Sequence, residues 1–245
     1  MRPVLLQWRK LTIWSYPAML YVGLLCGVVA GNVVANADGL NPLRVYIATL
    51  ILIVAALAGA RFLYVMANWQ DYRSNPARIW NRSQGGYVMY GGFAAMLLVS
   101  IPVLRLSHLG FGAFWDVAIF TILVGMFFTR IGCLLNGCCA GAATHTWLGV
   151  YLPNSRGIWQ KRFPAQIFEA GWAGMLLICA VELRHSVPFP GALFLLMSAG
   201  YAGGRLLMEF ARERKPSKAG FTLAQVISLV ICLMSVSTLT IYWRQ

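Results

Sequence analysis

FGAFWDVAIFTILVGMFFTR, residues 111–130, is a twenty-residue run whose only charges are Asp116 near its start and Arg130 at its end. A helix crossing the hydrocarbon core of a bilayer needs about 20 mostly apolar residues, so this run reads as a membrane span. The next residues are out of keeping with lipid. IGCLLNGCCAG, residues 131–141, sets an amide and three cysteines directly behind the arginine. Charged and hydrogen-bonding side chains at membrane depth are costly and line polar cavities or substrate sites. The end of this helix is therefore the first place to look for function.

Outward from that run the pattern repeats. Further apolar stretches cover about 13–34, 45–67, 87–104, 165–181, 190–210 and 221–243. Of the 245 residues 59% are hydrophobic and 11% charged, with a mean hydropathy of +0.67. A soluble protein is excluded, and runs of this length indicate helices. The breaks carry turn chemistry: Asn41-Pro42, Asn75-Pro76, Gly85-Gly86, and Lys215-Pro216 before Gly220. The expectation is an all-α polytopic membrane protein of about seven transmembrane helices, one domain over 1–245. A small extramembrane cap, about 138–164, is expected between the fourth and fifth helices. The first ten residues, MRPVLLQWRK, interrupt their apolar run with Arg9 and Lys10 and make a poor signal peptide, so the first helix is expected to remain as a span.

Twenty Lys and Arg face seven Asp and Glu, a net charge of +13. With seven spans, most of the cations fall on the face shared by the N-terminal segment and the loops after the second, fourth and sixth helices. The opposite face holds Arg44, Arg105, Arg184 and Arg244. The positive-inside rule alone would make the rich face cytoplasmic. A site for anionic lipid headgroups would gather the same cations on whichever face carries it. No soluble domain presents these charges, which argues against a nucleic-acid partner.

Inside the runs the charges are few: Arg61, Asp116, Arg130, Glu169, Arg205 and Glu209. Arg205 and Glu209 are four residues apart on one helical face, where they either pair with each other or bind an anionic group. Arg130 has no acidic residue within four positions, so an anionic ligand or a partner distant in sequence must satisfy it; the ligand is the preferred reading. Two arginines converging on one phosphate would give bidentate charge-assisted contacts.

Several segments, in order, then show a wider pattern: GARFLYV at 59–65, GGYVMYGG at 85–92, RIGCLLNGCCAG at 130–141, FPAQIFEA at 163–170, YAGGRLLMEFAR at 201–212 and AQVIS at 224–228. Together these resemble the prolipoprotein diacylglyceryl transferase family of bacterial inner-membrane enzymes. The resemblance implies a seven-helix body, a small extracytoplasmic cap, and transfer of diacylglycerol from phosphatidylglycerol to a lipoprotein-precursor cysteine with release of glycerol 1-phosphate. It implies reacting or phosphate-holding roles for Arg130, Arg205 and Glu209, and Tyr90, at the position of a family histidine, is a candidate beside them. Substrate-binding roles fall on Arg61, Gly91, Gly92, Asn136, Gly141 and Tyr201, with Gln166 and Glu169 as supports; His145, six residues after the cysteines, is added from its place in the cap segment as a further candidate. It also implies that the basic face is extracytoplasmic, against the charge count, because precursors present their thiols after translocation. No cofactor is implied.

Three positions depart from the family pattern. Tyr90 stands where a histidine is expected, Cys133 where an asparagine is, and Cys138 where a glutamate is. A tyrosine, with a reference pKa of about 10, is a poor base at neutral pH; His145 is a candidate replacement. Cys133, Cys138, Cys139 and His145 invite a zinc reading, but they lack paired CxxC knuckles, and the spacing argues for no metal. The departures also keep open a relative that serves another acceptor, or a lipid-binding or lipid-translocating protein without catalysis.

Overall fold

The protein is described by a computed structural model over residues 4–8, 11–73, 79, 88–153, 157–212 and 222–243. In chain order its elements are β1 (Val4–Trp8), β2 (Leu11–Trp14), α1 (Ser15–Ala37), α2 (Pro42–Ala67), α3 (Trp69–Arg73), α4 (Met89–Leu106) and α5 (Phe111–Asn136). They continue with β3 (Val150–Pro153), β4 (Trp159–Arg162), α6 (Ala165–Leu183), α7 (Ala192–Glu209) and α8 (Leu223–Trp243). Among the described residues five helices are long and apolar enough to cross a membrane: α1, α2, α5, α6, and Ala224–Tyr242 within α8. The chain is a mostly helical, multi-pass membrane protein.

Two expectations need correction. The fourth run does not stop at Arg130; α5 continues six residues further, because IGCLLN keeps a helix-forming apolar pattern and the first stop is Gly137. Arg130 thus lies inside the helix. Its end is a Schellman motif: Gly137 takes φ +75° and donates to Leu134 O, while Cys138 N donates to Cys133 O at 3.1 Å. α4 ends the same way on His108, at φ +52°. The second correction is the pair of antiparallel hairpins, β1–β2 before the first helix and β3–β4 inside 138–164, in a chain expected to be helical throughout.

The elements form two compact units, 1–34 with 115–245, and 35–114. In the first, α1 lies against α5 along Gly23, Gly27 and Gly31; a Cβ on Gly27 would stand 2.6 Å from Thr121 O. Such small-residue stripes let membrane helices approach closely where no hydrophobic force drives them together. α5, α6 and α7 share a core of Phe120, Leu123, Leu176, Leu193 and Met197. Asp116 is accounted for here: its carboxylate accepts from Gly191 N at 2.6 Å and Phe194 N at 2.8 Å, satisfying the open N–H groups at the start of α7. α6 meets α7 where Trp172 Nε1 donates to Gly200 O, and the missing side chain of Gly204 leaves room for the indole.

In the second unit α2 and α4 pack through glycines. A Cβ on Gly91 would stand 2.6 Å from Gly59 O, and one on Gly92 2.7 Å from Ala56 O. The glycines expected at a substrate site therefore have a packing role. Asn41 caps α2 by accepting from Arg44 N, with Pro42 in the first turn.

Candidate active site

FPAQIFEA starts α6 directly after Pro164, and the helix puts Gln166 and Glu169 one turn apart on a buried face. Glu169 is 3% exposed. A carboxylate at that depth needs cations, and among the described residues it has three. Arg130 Nε of α5 lies 2.9 Å from Oε2, and Arg205 Nη1 of α7 lies 3.4 Å from Oε1. Arg212 Nη2, just beyond α7, is 3.0 Å from Oε1 and 3.2 Å from Oε2. Arg205 also pairs with Glu209 at 2.8 Å, the i,i+4 pair that the sequence offers. Tyr201, one turn before Arg205, hydrogen-bonds to Arg130.

The partner of Arg130 is thus distant in sequence and inside the protein, which corrects the preference for a ligand as its sole counter-charge. Glu169, expected as a support, is the hub. Among the described residues three guanidiniums meet two carboxylates, leaving one positive charge in excess. Each arginine keeps partial exposure of its side chain, between 16% and 22%. Among the described residues the buried Arg212 Nε has no hydrogen-bond partner, and it is a donor that a bound anion would satisfy.

Arg212 is legible in the sequence only as a loop cation. Its spacing from Arg205 and Glu209 continues the same helical face, i, i+4, i+7. The chain past α5 holds it in place. Gly141 N donates to Phe163 O and Ala142 N to Ala211 O, so residues 141–142 run between the approach to α6 and the end of α7. A Cβ on Gly141 would meet both Ala211 O and Phe163 O at 2.7 Å; glycine is what permits this threading. Arg162, 2% exposed, donates to Gly141 O. At the other end Thr222 and Gln225 form a reciprocal capping box at the start of α8, and the Thr222 hydroxyl donates to Glu209 Oε1 at 3.1 Å.

The cysteines sit beside this knot. Cys133, Cys138 and Cys139 bring their Sγ atoms within 4.8 Å of one another, a convergence that their spacing in the sequence does not announce. Cys133 is buried and Cys139 exposed. Gln166, fully buried, donates to Cys138 O at 2.7 Å, and among the described residues its own Oε1 has no partner. Asn136 ends α5 and hydrogen-bonds the Cys138 thiol. Hydrogen bonds from Cys133 and Cys138, with the charges of Arg212 and Arg130, hold the Cys139 thiol below its ordinary range.

Not every candidate joins this group. His145 is exposed and lines a cavity of about 300 Å³ with Thr144, Tyr151, Gln160 and Lys161, and none of the knot's side chains lines it. In the other unit Arg61 donates from Nε and Nη2 to Ile79 O at 3.2 and 3.1 Å and lies over the rings of Tyr64 and Tyr72. Tyr90 falls in the first turn of α4, and its side chain lies outside the described residues.

A family model described as prolipoprotein diacylglyceryl transferase matches residues 3–241. Phosphatidylglycerol–prolipoprotein diacylglyceryl transferase 2 of Clostridium perfringens is 26% identical over 246 residues, covering 95% of this chain and 92% of its own. The phosphatidylglycerol–prolipoprotein diacylglyceryl transferase of Dehalococcoides mccartyi is 30% identical over 194 residues, 77% of this chain and 73% of its own. The Clostridium tetani protein of that name is 24% identical over 239 residues, 96% of both. With a family model matched almost end to end and a buried arginine knot built from the segments that carry the resemblance, the chain belongs to the prolipoprotein diacylglyceryl transferase family.

Proposed function

We propose that this protein transfers the diacylglyceryl group of phosphatidylglycerol to the cysteine thiol of a lipoprotein precursor, releasing glycerol 1-phosphate. The observation that carries the reading is the excess positive charge of Arg130, Arg205 and Arg212 over Glu169 and Glu209. A thiol attacks the glycerol carbon that bears the phosphate. The carbon–oxygen bond breaks and the leaving phosphate gains a second negative charge, so the site has to strengthen its hold as the reaction proceeds. Guanidiniums already fixed by buried carboxylates do this without reorganising. Glu169 and Glu209 position these arginines rather than react, and Tyr201 steadies Arg130. Gln166, Asn136 and Gly141 shape the chain between α5 and α6.

The finer architecture belongs to the same reading. α4 and α7 complete seven spans, residues 138–164 with the β3–β4 hairpin form the cap, and the basic face lies outside the bacterial inner membrane. Donor lipid would enter from the bilayer, and the precursor would arrive after translocation.

The test is purified protein in phosphatidylglycerol vesicles with a lipobox-cysteine peptide, scoring lipidated peptide and released glycerol phosphate. Arg205→Ala leaves Glu169 with two arginines and Glu209 with Thr222, so the fold should hold while kcat/KM falls about 10²–10³-fold, the usual cost of one transition-state charge donor. Glycerol phosphate released without peptide modification would assign another acceptor. Specific lipid binding with no product would replace the transferase reading by a non-catalytic one.

A further inference from the structure

The transfer needs a thiolate, and neither the arginine knot nor Tyr90 is suited to make one: guanidiniums stay protonated, and a phenol is a weak base near pH 7. Three other nucleophilic groups stand next to the knot and take no part in holding the phosphate. Cys133, Cys138 and Cys139 keep their Sγ atoms within 4.8 Å of one another. In a tetrahedral zinc–thiolate centre, with Zn–S of about 2.3 Å, the sulfurs lie about 3.8 Å apart. The observed spacing exceeds this by at most about 1 Å.

The backbone is built to hold the three together. Gly137 stops α5 in a Schellman turn that folds Cys138 back onto Cys133. Cys139 takes φ +64°, a left-handed conformation that residues with a Cβ seldom adopt. Two adjacent residues in ordinary extended chain send their side chains apart, and here both thiols join one cluster. Backbone strain of this kind persists where the surroundings enforce it and function uses it. Gln166 pins the Cys138 carbonyl from α6, the sort of outer support that orients ligands at a metal centre. The charge also balances. Three thiolates on a divalent ion carry one negative charge, and the adjoining knot carries one positive charge in excess. Exposure rises from buried Cys133 through half-buried Cys138 to exposed Cys139, so one side of the cluster is open.

We propose that Cys133, Cys138 and Cys139 bind one zinc ion through three thiolates, and that its open fourth position takes the acceptor thiol of the substrate, an inference that rests on the transfer reaction proposed above. Three protein ligands and one free position are the arrangement of a catalytic zinc site. A thiol bound to zinc loses its proton, here to solvent, and stays nucleophilic at neutral pH. Its sulfur then forms the S–C bond to the glycerol carbon while the C–O bond breaks, the electron pair leaving on the phosphate oxygen of glycerol 1-phosphate. The product thioether is a weak zinc ligand and departs, so no oxidant or reductant enters the cycle.

The experiment measures metal content of the purified full chain by mass spectrometry and then follows Cd²⁺ substitution through the ultraviolet thiolate-to-cadmium band. One zinc per chain is expected, lost in Cys133→Ser and in Cys139→Ala; the second variant changes an exposed residue, so a folding defect does not account for both. A lipobox-cysteine peptide, unlike its serine counterpart, should enlarge the cadmium band by about a third as a fourth thiolate joins three. Chelation should lower peptide lipidation more than tenfold, with recovery on adding Zn²⁺. A metal-free chain with no cadmium band, a disulfide among the three cysteines, or a band indifferent to the peptide would overturn the proposal. Full turnover by chelated protein would also overturn it while leaving the transferase reading intact. Zinc bound and the peptide thiol coordinated, with no lipidated product, would uphold the site and sink the transferase reading instead.

Discussion

Arginines in the two units of this chain are held in contrasting ways. In the unit spanning 35–114, the groups that hold Arg61 include a backbone carbonyl and the faces of Tyr64 and Tyr72, with the cation 5.7 and 5.6 Å from the ring centroids. In the other unit Arg130, Arg205 and Arg212 converge on one buried carboxylate, Glu169. The first arrangement divides its hold among several modest contacts, each worth about 1 kcal/mol. The second concentrates it on one group whose loss affects three cations at once. A distributed hold suits a structural role. A shared hub fixes several donors at one point with charge to spare, which is what an anionic substrate requires.

The sharpest way to break this contrast is Glu169→Gln. The amide keeps the volume but removes the shared charge, leaving three partly buried guanidiniums facing one another. Breaking a buried ion pair from one side costs about 3–5 kcal/mol, and the hub should fall in that range. Thermal unfolding in detergent reads the effect as a large drop in Tm, together with loss of lipid transfer. An unchanged Tm would mean that Glu169 is not the hub.

Next in size are two glycine substitutions, one in each unit. Gly141→Ala drives a methyl against the carbonyl oxygens of Ala211 and Phe163, and Gly59→Ala drives one against Gly91 O at 2.5 Å. Overpacking of this kind costs about 1–3 kcal/mol, so both variants should melt earlier. They should separate in turnover per folded molecule. Gly141→Ala displaces the backbone beside Arg212 and should lower it, whereas Gly59→Ala disturbs only the contact of α2 with α4. Equal losses of rate would erase the distinction between the two regions.

Arg61 gives a smaller and more discriminating result. Arg61→Lys keeps the charge but loses the planar fork that reaches Ile79 O with two nitrogens, for about 1–2 kcal/mol. The expected outcome is a lower Tm with the KM for phosphatidylglycerol unmoved. A tenfold rise in that KM would bring Arg61 into the headgroup site and make the contrast one of degree.

Which parts of the fold and site are legible in the sequence depends on which interactions are local. Arg205 and Glu209 are four residues apart on one helix, and their pairing is written in the spacing. The residues of the knot lie in segments that stand out along the chain, and all but one can be picked out there. That Glu169 is shared depends on α6 meeting α7 through Trp172 and Gly204, a contact between residues more than thirty positions apart. The exception, Arg212, is hidden by sitting beyond the last helical residue, although its i+7 spacing from Arg205 is there to be read. The three cysteines are legible as a group that invites a zinc reading, but the spacing argues against one, because their meeting depends on the left-handed turn at Cys139, which no spacing rule anticipates. The β1–β2 hairpin escapes for a similar reason: VLLQW and LTIW alternate weakly and lie beside a span whose hydropathy dominates any reading of the region.

The smallest effect probes the rim of the knot. Thr222 caps α8, where its backbone N–H donates to Gln225 Oε1 and its oxygen accepts from Gln225 N, and its hydroxyl also donates to Glu209. Thr222→Val keeps the shape but removes the oxygen, which takes away the cap and one of the two partners that Glu209 has among the described residues. Loss of an N-cap oxygen costs about 1 kcal/mol. Thr222→Ser should restore both the melting temperature and the rate, since it returns the hydroxyl without the methyl. The comparison decides whether Glu209 positions Arg205 through α8. If Thr222→Val lowers Tm and leaves kcat alone, the cap is a stability device. If kcat falls as well and serine rescues it, the carboxylate that aims Arg205 is itself aimed from the first turn of the last helix.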